Sequence, residues 1–246
     1  MCSGKQTLVY SRTVHSSTVT THLRKPMIEQ LIERTNTTEF YQNGHLHLTE
    51  LKGLIGQYKT MEFNFVAEEQ DDFGKMHNVE HWRLIAHKTI DFNGIYADLY
   101  LPYIKMKILT DHPLLWTYNK VELECELIKF PENPSEFMGD LFFEYEKVAG
   151  NWIPLHKNFW ALNEYYKQNE KRNLSIPKPL KESIEKVCKK HGIDFKIKKE
   201  TDGYDKGYAN RPNAKLLIFG NEDVSPNDFS LGQPYIIADE FIASRK

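Results

Sequence analysis

Apolar and polar residues alternate along much of residues 79–160, which is the pattern of β-strands with one buried face. Asn93-Gly94 separates two of these runs, and this dipeptide favours a two-residue type I′ turn because both central positions need positive φ. The hairpin register then collects Trp82 and Leu84 on an apolar face, which we expect to lie in the core.

The opposite face of this predicted hairpin is polar. In the predicted register His87 lies opposite Tyr100, and Thr89 lies opposite Asp98. The residues expected to bind a ligand on this face are Arg83, His87, Thr89, Tyr96, Asp98 and Tyr100. A histidine beside a carboxylate and a phenol can exchange protons, so His87, Asp98 and Tyr100 are the candidate catalytic residues. An ordinary solvated sheet face is the alternative interpretation.

Further strands follow the hairpin. The alternation changes phase at Pro102, which predicts a bulge or a bend. Residues 121–127 alternate apolar residues with glutamates, as a half-buried strand does. Gly150-Asn151 favours a type II′ turn and predicts a second hairpin, with Glu144 opposite Lys157. We therefore expect an α+β fold with a strongly curved, mainly antiparallel sheet of at least five strands, barrel-like or open.

Helical periodicity lies outside this sheet. Residues 27–32 and 180–188 repeat apolar positions at intervals of three and four, so a few helices should cover the sheet. Residues 175–179 contain two prolines and indicate a boundary. This boundary divides the chain into a β-dominated main domain, residues 1–173, and a small C-terminal α/β unit, residues 174–246, that we expect to pack on it.

The composition is that of a folded protein. Of 246 residues, 40% are hydrophobic and 13% are aromatic, which excludes a disordered chain. The net charge of −2 gives no overall attraction to nucleic acid or to an anionic membrane. No apolar run approaches the roughly 18 residues of a membrane span, so cytoplasm is the simplest compartment. As an alternative, Cys2-Ser3-Gly4 resembles the start of a mature bacterial lipoprotein, which implies a lipid anchor on Cys2.

A short histidine motif carries the strongest hint of metal chemistry. The segment His77-Asn78-Val79-Glu80-His81 matches HxxEH and resembles the motif of inverted zinc metallopeptidases. The resemblance implies that His77 and His81 bind zinc from one face of a helix and that Glu80 polarises a water molecule. Alternation through the same residues predicts a strand instead, in which Glu80 points away from both histidines. We therefore expect no metal or other cofactor, with zinc as the alternative.

Two further histidine patterns leave other interpretations open. His45 and His47 would share one face of a strand, a spacing that metal sites use. The segments His47-Leu48-Thr49 and His87-Lys88-Thr89 resemble the paired HxT motifs of two-histidine phosphoesterases. That resemblance implies histidines acting as acid or base and threonines holding a phosphate.

Positive charge concentrates late in the chain. Residues 165–199 contain eleven Lys or Arg and four Asp or Glu. The lysines that could form a patch for nucleic acid or another polyanion are Lys186, Lys189, Lys190, Lys196, Lys198 and Lys199. Glu182 and Glu185 precede Lys186 and Lys189 by four residues, which is also the pairing of a solvated helix face.

The sequence thus predicts a soluble binding or interaction protein that recognises a small polar ligand or a protein partner on its curved sheet. A metal-dependent hydrolase using the region of His77, Glu80 and His81 is the first alternative. Polyanion or nucleic-acid binding through the C-terminal lysines is the second. The polar face predicts a pocket wall only if the sheet curves around it.

Overall fold

The computed structural model describes residues 27–54, 59–102, 104–159, 171–220 and 234–246. The helices are α1 Met27–Thr35, α2 Thr38–Asn43, α3 Trp116–Asn119, α4 Pro134–Ala149, α5 Leu155–Asn158 and α6 Lys181–Lys190. The strands are β1 Gly44–Leu54, β2 Thr60–Gln70, β3 Met76–His87, β4 Asp91–Asn93, β5 Leu99–Pro102, β6 Lys105–Leu109, β7 Glu122–Ile128, β8 Lys171–Pro177, β9 Asp194–Thr201, β10 Lys215–Gly220, β11 Tyr235–Ala238 and β12 Glu240–Arg245. Short 3₁₀ helices span Pro113–Leu115, Lys178–Leu180 and Gly203–Ala209. No helix within the described ranges is long and apolar enough to cross a membrane.

The strands form three antiparallel sheets. Their orders are β12-β3-β2-β1-β5, β4-β11-β10-β6 and β8-β7-β9. The predicted α+β class with antiparallel strands is confirmed, and the sheets are not closed. The phase change at Pro102 marks the place where the chain leaves the five-stranded sheet and enters the four-stranded one, rather than a bend within one strand.

The five-stranded and four-stranded sheets share one hydrophobic core. Phe63 and Leu84 from the first sheet and Leu217 and Ile236 from the second are fully buried in the same cluster. The partly buried apolar residues of α1 pack against this cluster, as the predicted amphipathic helix requires. One face of the five-stranded sheet therefore faces the core, and its other side, which we call the outer face, carries the alternate residues.

The three-stranded sheet makes a second core with α4 and α6. Leu123, Cys125 and Leu127 alternate inward along β7, so the strand predicted for residues 121–127 is confirmed. They pack with Phe137 from α4 and Ile184 from α6. The predicted helix over residues 180–188 is confirmed as α6.

The hairpin predicted at Asn93-Gly94 is wrong. β4, which ends at Asn93, pairs with β11, and β5 pairs with β1. A type I′ turn needs positive φ at both central residues, but only Gly94 of the pair has it, at 64°. β3 has already ended at His87, because Lys88 takes a φ of 52° and turns the chain away.

The second predicted hairpin is also wrong, because Gly150 ends a helix. α4 begins behind Asn133, whose side chain accepts a hydrogen bond from the backbone N–H of Glu136 at 3.2 Å. Its buried residues recur every fourth position, at Phe137, Leu141, Tyr145 and Ala149. Gly150 has a φ of 56° and caps the helix, a role that needs the same left-handed freedom as a type II′ turn. Glu144 therefore faces Lys147 and Lys186 instead of Lys157.

The predicted boundary after residue 173 falls inside β8. Strands beyond it pair with strands before it in all three sheets: β8 and β9 with β7, β10 and β11 with β6 and β4, and β12 with β3. Cys2, with its suggested lipid anchor, lies outside the described residues.

Candidate functional site

The six predicted ligand-binding residues do not form one cluster. Arg83 and His87 lie on β3, whereas Tyr100 lies on β5, and β2 and β1 separate these strands. Three strand spacings of about 4.8 Å place β3 and β5 about 14 Å apart. Asp98 lies just before β5, and Tyr96 lies in the same loop.

Arg83 belongs to a ladder of polar side chains on the outer face. Its Nη2 lies 2.6 Å from Oε2 of Glu62, and this hydrogen bond holds the pKa of Glu62 below its usual range in spite of burial. Next to this pair, Asn64 Nδ2 donates to Glu50 Oε2 at 2.7 Å, and Lys52 Nζ lies 2.8 Å from the same oxygen. The charge of Arg83, which we expected to meet an anion, is therefore balanced by Glu62.

Thr89 is buried and stabilises the local backbone. Its Oγ1 donates to the carbonyl oxygen of Ala86 at 3.0 Å, and its backbone N–H donates to Lys59 at 2.6 Å. These bonds hold the chain where it leaves β3. His87 is the last residue of that strand and pairs with Glu240 of β12. Thr89 is therefore buried with its hydroxyl hydrogen already bonded, and it is not a residue that binds a ligand at the surface.

Tyr100 lies at the centre of a second group, which we call the His/Tyr cluster: His45, His47, Glu68, Asp98 and Tyr100. The rings of His45 and Tyr100 lie 4.3 Å apart between centroids, and those of His47 and Tyr100 lie 6.4 Å apart. His45 Nε2 lies 2.6 Å from Glu68 Oε1, and His47 Nε2 lies 4.0 Å from Asp98 Oδ1. Two imidazoles, two carboxylates and a phenol thus meet at one end of the outer face.

Strand register holds the cluster in place. His47 pairs with Tyr100 across β1 and β5, and His45 pairs with Glu68 across β1 and β2. The loop before β5 is fixed by the backbone N–H of Asp98, which donates to Leu48 at 2.9 Å, and Asp98 itself has a φ of 62°. The spacing of His45 and His47 indicated a shared strand face. Glu68 is not predicted as a site residue, because the acidic sequence of residues 68–74 is typical of a loop. In the structure β2 continues through Glu68.

Burial within the cluster is graded. His45 is 3% exposed and Glu68 is 18% exposed, so this pair forms the base of the cluster. Tyr100 is 49% exposed, and the Asp98 side chain is 87% exposed. Among the described residues, clefts of about 330 to 480 Å³ open near α3, α4 and α5, and none of these clefts is lined by a residue of the cluster. Within the described residues, the cluster is therefore a surface that can contact another molecule.

The HxxEH segment is a strand, so it lacks the helix that the zinc interpretation requires. His77 Nε2 lies 3.5 Å from Oε2 of Glu69, and Asn78 Nδ2 donates to the same carboxylate. Glu80 accepts a hydrogen bond from Trp82 Nε1 at 3.0 Å and lies 2.9 Å from Arg245 Nη2. The side chains of His77, Asn78 and Glu80 are therefore bound to other residues of the protein.

Three of the six C-terminal lysines, Lys186, Lys190 and Lys198, meet acidic partners. Lys186 lies 2.9 Å from Glu144, and Lys198 lies 2.9 Å from Glu126. Asp140 accepts hydrogen bonds from Lys190 Nζ at 2.5 Å and from His191 Nε2 at 2.6 Å, and these two donors hold its pKa below the usual range. These pairs reduce the positive field that a polyanion would meet.

The residues Glu136, Asp140 and His191 come close enough to share a metal ion. The ammonium of Lys190 occupies this position, 3.7 Å from Glu136 and 2.5 Å from Asp140. The group is therefore an ion-pair network that joins α4 to the end of α6.

Comparison of the chain with protein families, with curated proteins and with solved structures finds no match in any of the three.

Proposed function

We propose that the protein is a binding protein and that the His/Tyr cluster contacts a basic segment of a protein partner. The observation that carries this proposal is the half-exposed ring of Tyr100, which packs on His45, while the exposed carboxylate of Asp98 lies 4.0 Å from the neighbouring His47. Exposed tyrosines held by a rigid scaffold are typical anchors of protein interfaces.

The charge of the cluster favours a cationic partner. It contains the carboxylates of Glu68 and Asp98 and includes neither lysine nor arginine. A guanidinium group can stack on the face of Tyr100 while it donates hydrogen bonds to Asp98, which combines a cation–π contact with a charge-assisted hydrogen bond. Arginine suits this arrangement better than lysine because its planar group stacks and donates in fixed directions.

Preorganisation supports the same proposal. The aromatic rings of the cluster stand on paired strands, and His45 is fixed from below by Glu68. Little side-chain conformational entropy would therefore be lost when a partner binds. General acid–base catalysis is the less favoured use of the same residues, because the cluster borders none of the four clefts near α3, α4 and α5.

The experiment is a titration of the protein with an oligoarginine peptide, with an oligoglutamate peptide as the charge control. We expect oligoarginine to bind the wild-type protein and oligoglutamate not to bind. Tyr100→Ala or Asp98→Asn should each weaken oligoarginine binding by about tenfold, equivalent to about 1.4 kcal/mol.

Matched variants separate the cluster from the general charge of the surface. Tyr208→Ala removes a tyrosine that is 100% exposed on the loop after β9, and Asp72→Asn removes an exposed carboxylate at the β2–β3 turn. Both controls should leave the affinity within about twofold of the wild-type value, since neither touches the cluster. Equal weakening by the controls and by the cluster variants would refute the proposal.

A further inference from the structure

Two clefts meet at Lys120, between the three-stranded unit and the four-stranded sheet. The first has a volume of about 350 Å³ and apolar walls formed by Leu109, Trp116, Val148 and Pro179. The second, of about 330 Å³, shares Lys120 and Pro179 with the first and extends towards Lys178. Pockets for small molecules are commonly concave, largely apolar and placed where structural units meet.

His112 lines the first cleft and is only 4% exposed. Its Nδ1 accepts a hydrogen bond from the backbone N–H of Leu114 at 3.3 Å, so the proton of the neutral ring lies on Nε2. Burial lowers the pKa of His112 to about 4, against the opposing effect of Asp111, so the ring is neutral at pH 7.

The Nε2 atom of His112 is buried, and no atom of the described residues accepts a hydrogen bond from it. Trp152 makes an edge contact with the ring at 4.7 Å between centroids, and an indole offers at most a weak π acceptor. A buried N–H without an acceptor destabilises the folded protein, because it loses the hydrogen bond that it makes with water in the unfolded chain. An acceptor atom supplied by a ligand would replace this hydrogen bond.

Lys120 supplies positive charge at the rim of the same cleft. Its Nζ lies 3.0 Å from Oδ1 of Asp111, a carboxylate that is 69% exposed and therefore easily displaced into water. The backbone of Lys120 is held at both sides: its N–H donates to Trp116 at 3.0 Å, and its carbonyl oxygen accepts from Lys206 Nζ at 2.6 Å. The backbone of Lys120 is thus fixed, and its side chain lines the same cleft as His112.

We propose that this cleft binds a small carboxylate with an apolar body. The apolar body would contact Trp116 and Val148, one carboxylate oxygen would accept the Nε2–H of His112, and the negative charge would pair with Lys120. A cation would meet Lys120 at the rim, and a neutral apolar molecule would leave the His112 donor without a partner. This site is separate from the His/Tyr cluster and does not depend on the function proposed for it.

The test uses phenylacetate, with phenylacetamide and phenethylamine as neutral and cationic analogues, and measures affinity by calorimetry. Phenylacetate should bind at least tenfold more tightly than either analogue. Lys120→Met, which keeps the aliphatic stem, should weaken phenylacetate binding about tenfold. Asp111→Asn should tighten it about threefold, because the competing carboxylate is removed. If Asp111 only stabilised the fold, its replacement would not increase the affinity for phenylacetate.

His112→Phe should weaken the binding of both phenylacetate and phenylacetamide, if the variant folds, because each ligand offers an oxygen atom that can accept the Nε2–H of His112. If the His112→Phe variant does not fold, the affinities of Lys120→Met and Asp111→Asn for phenylacetate still test the proposal. Lys147→Met, in an exposed ion pair with Glu144, is the matched control and should have no effect. Tyr100→Ala should also have no effect, which separates this site from the proposed partner surface. Absence of phenylacetate binding, or weaker binding to Asp111→Asn, would overturn the proposal.

Discussion

The guanidinium of Arg34, on α1, lies directly against the carboxylate of Glu69, on β2, and the Glu69 side chain is 1% exposed. Asn78 Nδ2 completes the surroundings of this carboxylate from β3, at 2.5 Å. Arg34 also lies 3.9 Å from Glu80 and 5.0 Å above the ring of Phe40. One side chain therefore ties the first helix to the end of the five-stranded sheet.

Arg34→Met should destabilise the protein by about 3 kcal/mol, because it leaves a buried carboxylate without its cationic partner. Urea denaturation at pH 7 measures the free energy of unfolding. Glu29→Gln, an exposed change on the same helix, is the control and should alter stability by less than about 0.5 kcal/mol. An Arg34→Met loss no larger than that of the control would show that the pair contributes nothing.

The pH dependence of stability should carry the signature of Glu69. Burial raises its pKa, but hydrogen bonds from Arg34 and Asn78 outweigh burial, so its pKa in the folded protein lies below the usual 4.5. The stabilisation is therefore complete above the unfolded pKa and is lost as the pH falls through the folded pKa. Between about pH 5 and pH 3, Glu69→Gln should lose less stability than the wild-type protein does. Identical slopes for the two proteins would contradict this assignment.

Local sequence patterns identify several of the strands and helices. The strand pairing is harder to predict, because it depends on residues that lie far apart along the chain. β7 and α6 follow from alternation and from the i, i+4, i+7 spacing, which depend only on neighbouring residues. The dipeptide Asn93-Gly94 predicts a turn but does not show which strands pair on either side of it. In the structure β4 pairs with β11, more than 140 residues away along the chain. Likewise, Gly150 supplies a positive φ, which suits a helix cap as well as a hairpin. Asn133-Pro134, followed by apolar residues at every fourth position, is the sequence pattern that would have predicted the helix instead of the hairpin.

The candidate site was predicted only in part. The sequence places Tyr100 and Asp98 on a polar face, but the residues that surround them in the structure come from β1 and β2. Arg83 lies on the same sheet, but β2 and β1 separate its strand from that of Tyr100, because the assumed hairpin does not form. His112 had no sequence signal, since its importance depends on burial and on one unsatisfied nitrogen atom.

Gly150→Ala should destabilise the protein by about 1–3 kcal/mol, because Gly150 combines a φ of 56° with a ψ of −156°, a conformation open almost only to glycine. Gly139→Ala, on the exposed side of the same helix, is the control. A Cβ atom at Gly139 would meet nothing within 4 Å, so this change should stabilise by about 0.5–1 kcal/mol. Thermal unfolding of the two variants measures both effects. Equal effects at the two positions would contradict the helix end at Gly150.

The thiols of Cys125 and Cys188 should be inert in the native protein. Both are buried, and burial raises their pKa values to about 11 and about 12. Alkylation at pH 8, followed by peptide mass spectrometry, should label both residues only after unfolding, because reaction requires an accessible thiolate. Labelling of Cys125 in the native state at the rate of a free thiol would contradict the position of β7 in the second core.

The most direct test of the partner surface is a map of backbone and side-chain NMR shifts as oligoarginine is added. The protein offers the peptide a second group of carboxylates, Glu122 and Glu124 on β7, which lysines of β8 and β9 flank. We predict that the largest shifts occur at His45, His47, Asp98 and Tyr100, with little change along β7. Shifts concentrated on the β7 glutamates, or spread evenly over the surface, would contradict the claim that the His/Tyr cluster is the binding surface.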